Sequence, residues 1–92
     1  MDAKLKARWV EALRGGEYQQ NFYNVGQGTK LCCVGVGGAI SGLNPDVHNG
    51  SGSGQCAAAL GLTMAQAQVL FDMNDNDKKS FSEIADYIEA NL

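Results

Sequence analysis

Lys30–Gly38 reads KLCCVGVGG, two adjacent cysteines followed by three closely spaced glycines. Whether this stretch packs or reacts decides what kind of chain it belongs to. Cys33, Val36, Ile40 and Leu43 recur at close to helical spacing, which predicts a short helix. Gly35, Gly37, Gly38 and Gly42 work against it, each costing about 1 kcal/mol relative to Ala in a helix interior. A helix here needs tertiary support, and residues 33–42 stay open between helix and strand. If they are helical, Gly35, Gly38 and Gly42 fall along one side and let another element approach the backbone closely. That is a packing reason for glycine and requires no ligand.

On the amino-terminal side, Leu5, Trp9, Ala12 and Leu13 form one stripe of an α-helix that Gly15-Gly16 ends. Tyr18–Val25 (YQQNFYNV) and Thr29–Cys32 flank Gly26-Gln27-Gly28 and predict a two-stranded β-hairpin. On the carboxyl-terminal side, Asn44-Pro45-Asp46 is a turn, and HNGSGSGQ, about 48–55, reads as a flexible surface loop with too little side chain to pack. Ala57–Leu60 fits a single helical turn. Thr63 with Gln66 has the form of a capping box opening a helix through about Met73, with Ala67, Leu70, Phe71 and Asn74 inward. Ser80 with Glu83 repeats the box ahead of Phe81, Ile84, Ala85, Ile88 and Leu92, the cleanest amphipathic stripe in the chain. The expected fold class is α+β: one mostly helical domain over 1–92 with a short β-hairpin and a C-terminal helical hairpin.

Ninety-two residues suffice for one modest core, since a chain of that size buries roughly 60 to 65% of its unfolded surface. No apolar run of about 18 residues and no signal-like amino terminus are present, so no membrane partner is expected and the setting is read as cytoplasmic. Three cysteines are too few and odd in number for a disulfide framework, and neighbouring Cys32 and Cys33 would close only a strained ring. The net charge of -3 hides a gradient. Residues 1–14 carry four cations against two acids, and residues 62–92 carry six acids against Lys78 and Lys79. Such a gradient either steers a partner or pairs the two ends with each other, and pairing is the expectation favoured here. Nucleic acid is disfavoured as a partner for want of a positive excess.

Several site patterns fail on spacing. Asp72–Glu83 (DMNDNDKKSFSE) resembles a calcium loop, but Asp77 stands where the turn needs glycine, Lys79 where an apolar residue belongs, and Glu83 already serves a cap. Cys32, Cys33, His48 and Cys56 offer zinc ligand types without the usual spacing of paired cysteines, so no metal is expected. The glycines after Cys33 lack both the third glycine of a dinucleotide fingerprint and the lysine of a Walker loop, and no cofactor is expected. One thiol variant survives: Cys33 at a helix start would have its pKa lowered by the helix dipole, making Cys32 and Cys33 candidate reactive thiols. A second constellation mixes aromatic faces, amides and cations: Trp9, Arg14, Tyr18, Gln19, Gln20, Asn24 and Lys30, a combination suited to small polar ligands or protein loops.

Four stretches taken in order carry a family resemblance: RWVEALRGGEYQQ (8–20), KLCCVGVGG, LGLT (60–63) and FDMNDNDKKSFSEIADYIE (71–89). This order resembles a set of small proteins carried by phages, prophages and bacteria. Their marks are a W-x-x-A-L-R-S-G-x-Y-x-Q opening, a C-C-L-G-V stretch and an S-F-x-E-I-A-x-x-I-E ending. Gly37-Gly38 depart from the pattern where bulkier residues would be expected. The resemblance implies a phage or mobile-element setting and a compact α+β scaffold, and transfers no activity.

The expected function is a small non-enzymatic phage-type binding protein. It would act as an inhibitor of a host defence component, by binding a host protein or by sequestering a nucleotide-like ligand. The competing class is a thiol-dependent enzyme or redox switch centred on Cys32 and Cys33. A homodimer is compatible with the apolar helical hairpin.

Overall fold

Cys33–Gly38 are all buried and helical, and the rest of the chain is arranged around them. The structure is a computed structural model describing residues 1–92. Helix α1 (Ala3–Arg14) starts where the Asp2 carboxylate accepts the Leu5 amide at 2.7 Å, and it ends at Gly15 with Gly16 left-handed at φ +79°. Its inner face carries Trp9, Val10 and Leu13.

A small sheet follows, and it differs from the expected two-stranded hairpin. Strands β1 (Gln19–Gln20), β2 (Gly26–Gln27) and β3 (Lys30–Leu31) lie in the order β1-β3-β2, with β3 antiparallel to β2 and parallel to β1. The tight turn is Gly28-Thr29, so the hairpin's first strand comes from residues read as the turn. Asn21–Val25 instead forms a connection that carries the chain across β3. The cause is local: a side chain at Gly26 (φ +87°) would run into the Lys30 carbonyl, so only glycine brings β2 to β3.

Helix α2 (Cys33–Ile40) resolves the open choice at 33–42 in favour of helix. Cys32 is its cap, the sulfur accepting the Gly35 amide at 3.3 Å. Of the glycines expected to admit a neighbour, Gly38 does so toward the next helix and Gly35 toward Val25 and Leu31, while Gly37, outside the expected set, joins Gly38. A Cβ on Gly37 would overlap Leu60, and one on Gly38 would overlap Cys56, both brought up by helix α3 (Ser53–Ala59) and its end. Gly42 is not part of that contact; at φ +92° it turns the chain out of α2.

The glycine and serine segment differs from a bare loop. The Asp46 carboxylate accepts the amides of His48 and Asn49, Ser51 pairs with Asn44, and Ser53–Gln55 form the first turn of α3, with Gln55 accepting the Gly52 amide at 2.9 Å. Backbone and cap hydrogen bonds order a stretch whose side chains are too small to do so.

Both predicted capping boxes are formed. Thr63 and Gln66 open α4 (Met64–Asp75), and Ser80 and Glu83 open α5 (Phe81–Asn91). Helix α1 packs on α5, and α2 packs on α1, α3 and α4, so that one cluster of buried side chains from all five helices and the sheet makes the core. The fold is α+β and mostly helical. No helix is long and apolar enough to cross a membrane.

Candidate functional site

The residues singled out in the sequence do not gather on one face. Trp9 is fully buried and donates its indole N–H to the Cys33 carbonyl at 2.9 Å, tying α1 to α2. Gln20 spends its amide on Asn74 and the Lys79 carbonyl. Arg14 is paired with Asp86 and Glu89 of α5. Tyr18 is half-buried against the core, while Gln19 and Lys30 point outward from β1 and β3. The Asn24 side-chain oxygen accepts the Gly26 amide.

The thiols are withdrawn from solvent. Cys33 is completely buried, and burial raises its pKa far more than the start of α2 can lower it. Cys32 is 3% exposed and its thiol is pushed up to about 11, mainly by burial and against the two backbone amides that favour the thiolate. No cluster of three or more His, Cys, Asp or Glu is placed to hold a metal. Each sulfur has a structural contact: Cys32 with the Gly35 amide, Cys33 with the Leu70 carbonyl.

Asn74 ties these elements together. Its side chain is wholly buried and makes four hydrogen bonds. The oxygen accepts from the Cys33 amide and from Gln20; the nitrogen donates to the Asn21 carbonyl and to Asp75. All the bonding capacity of an amide is used, and removing it would strand buried groups at about 1–3 kcal/mol each.

Beside it, Tyr23 (φ 70°) and Lys78 (φ 53°) are the two non-glycine residues held in the left-handed region. They are fastened to each other: the Lys78 ammonium donates to the Tyr23 hydroxyl at 2.7 Å and lies 4.0 Å from that ring's centroid and 4.4 Å from that of Phe22. The Tyr23 amide donates to Asp75 at 2.9 Å. An uncommon backbone conformation thus holds a tyrosine that stays 71% exposed.

The accessible apolar surface lies next to that tyrosine. A recess of about 300 Å³ runs between α3 and α4, with Gly54, Ala57 and Ala58 on one wall and Met64, Ala67 and Phe71 on the other. At Ser53 and Phe71 it continues into a recess of about 200 Å³ lined by Tyr23, Asn24, Cys32 and Asp75. Met64 is 88% exposed at the far end. All seven Lys and Arg and all ten Asp and Glu lie outside Val47–Phe71, so the residues lining the groove from Ser53 to Phe71 are free of charge. The signal that could have revealed it was this charge-free run, which reads as a loop and a helix when taken element by element. A larger depression of about 640 Å³ follows α1, but its charged walls include Arg14 and Glu89, which already neutralise each other.

The fold and site together define a small, mostly helical α+β domain whose polar interior is fully bonded and whose open surface is an apolar groove. The chain belongs to the family described as Domain of unknown function (DUF8296), whose model matches residues 1–48. The matched part covers α1, the sheet and α2; both walls of the groove lie beyond it. No curated protein and no solved structure matches the chain.

Proposed function

We propose that this domain is a non-enzymatic binding protein of phage type that engages a host protein through the groove between α3 and α4. The observation that supports this most is the pairing of exposure with absence of charge. Val47–Phe71 carries no Asp, Glu, Lys or Arg, yet it presents Met64 at 88% exposure beside an apolar recess. Charge depletion with Met and aromatic anchors is the composition of an interface centre, and polar residues such as Gln68 and Asp72 supply a rim. Recesses without cations are poorly matched to the phosphates of a nucleotide-like ligand, which favours the protein partner of the two. The thiol-dependent alternative would need an accessible, acidified sulfur, and burial acts in the opposite direction on both.

The test is affinity capture from a host lysate with the whole chain and two variants. Met64→Lys places a charge in the groove without touching the core, and Lys30→Ala alters the exposed face of β3. A host protein retained by the parent and by Lys30→Ala, but lost with Met64→Lys at an unchanged Tm, is the expected result. Equal retention by all three would remove the groove from the reading.

A further inference from the structure

The smaller recess has a different chemistry from the groove it opens into. Its walls are two aromatic rings, Tyr23 and Phe71, and it contains the half-buried carboxylate of Asp75. Asp75 uses Oδ1 to accept the Tyr23 amide and the Asn74 side chain, while no protein donor reaches Oδ2 and no cation of the chain lies within ion-pair distance. Lys78 is held on the Tyr23 hydroxyl and does not line the recess. At about 200 Å³ the space is below the roughly 300–1,000 Å³ of small-molecule sites and suits a single side chain.

A carboxylate that shares a recess with two aromatic side chains and is partly shielded from water selects a cation. The charge pairs with the oxygen and an alkyl stem packs on the aromatic side chains; the Tyr23 ring, already carrying Lys78, contributes packing and Phe71 is the ring left to face a cation. We propose that this recess receives a lysine or arginine side chain of the partner, and that the partner's adjoining apolar residues lie along the α3–α4 groove. The inference rests on the groove reading above and adds the chemistry of the partner: a segment with a basic residue at one end and uncharged apolar anchors following it. From Asp75 back to Met64 the groove wall is one helix of 12 residues, about 18 Å long, so the segment needs some three helical turns or half as many residues if extended.

The probe is N-acetyl-arginine amide titrated into the whole, isotopically labelled chain, with N-acetyl-norleucine amide as the uncharged control of similar length. Saturable shifts at the amides of Tyr23, Asn24, Phe71 and Asp75 with the arginine compound, absent with the control, are expected. Asp75→Asn keeps an oxygen for the Tyr23 amide and Asn74 but loses the charge, and is expected to weaken the arginine compound at least about tenfold. Should Asp75→Asn fail to fold, Tyr23→Leu removes one aromatic wall from an exposed position and is expected to weaken binding as well. Equal shifts with both compounds, or an unchanged titration with folded Asp75→Asn or with Tyr23→Leu, would overturn the site. The two readings fail separately. A captured host protein lost with Met64→Lys but kept by Asp75→Asn and Tyr23→Leu leaves the groove and overturns the cation site, while arginine binding with no groove-dependent capture keeps the recess as a cation site and overturns the protein partner as its occupant.

Discussion

Cys32 caps a helix and belongs to the core at once, and the two roles make it a pH-sensitive stabiliser. Burial raises its thiol from 9.0 to about 11. In the unfolded chain it loses its proton near its ordinary value, so between those limits the folded state holds a proton that the unfolded state has released, and stability falls as pH rises. The contribution is fully present below pH 9 and is lost through about 11, on the order of 2 kcal/mol. Cys33, raised for the same reason, acts in the same direction. Cys32→Ser keeps an oxygen to accept the Gly35 amide and has nothing to titrate. Urea unfolding between pH 8.5 and 11 is expected to show a steeper loss of midpoint for the parent than for Cys32→Ser. Equal slopes would mean that the sulfur is solvated. That cysteine belongs inside was legible from its chemistry alone. The duties of Trp9 and Gln20 were not, because their partners lie 24 and 54 residues away and nothing local distinguishes a surface amide from a buried bond.

Within the elements, the same residue type has opposite value in two helices. On α2, Gly37 and Gly38 are where Leu60 and Cys56 come against the backbone. Gly38→Ala would add helix propensity worth about 1 kcal/mol but force the Cys56 side chain and backbone away, and overpacking of this kind costs about 1–3 kcal/mol. On α3, a Cβ at Gly54 meets nothing within 4 Å. Gly54→Ala is therefore expected to raise stability by about 0.5–1 kcal/mol while Gly38→Ala lowers it, two thermal midpoints that move in opposite directions. Should Gly38→Ala be as stable as the parent, the α2–α3 contact is looser than described. This contrast also marks where sequence reading ends. The caps Thr63 with Gln66 and Ser80 with Glu83 were readable because both partners lie within one turn. The β1–β3 pairing was not, since Gln19 and Lys30 meet only after the intervening chain has doubled back. The start of α3 was missed for a different reason: Ser53 and Gly54 have no helical preference of their own, and what holds them is the cap, in which Gln55 accepts the Gly52 amide and the Gly52 carbonyl accepts the Cys56 amide.

For the whole molecule, the charge gradient closes on itself. The cationic α1 lies on the acidic α5, and Arg14 spans Asp86 and Glu89, so the two ends of the chain are joined across the core. The family match ends at residue 48, but the packing does not divide there. Helix α1 has its main partner in α5 and α2 has its own in α3, both beyond the match, although α1 and α2 also pack on each other within it. A fragment of residues 1–48 would expose the inner faces of both helices. It would also leave the Cys33 amide without Asn74, a buried donor without its acceptor. Trp9 is the one tryptophan in the chain and is fully buried, so its fluorescence reports this directly. The fragment alone is expected to show red-shifted emission and little helical circular dichroism, whereas an equimolar mixture with residues 49–92 restores a blue-shifted signal as α1 docks on α5. If residues 1–48 fold unaided with a shielded Trp9, then the matched segment is a unit in its own right and the α3–α4 groove is an addition to it. If they do not, the groove and the matched half are parts of one cooperative structure, and a ligand seated between α3 and α4 stabilises α1 as well.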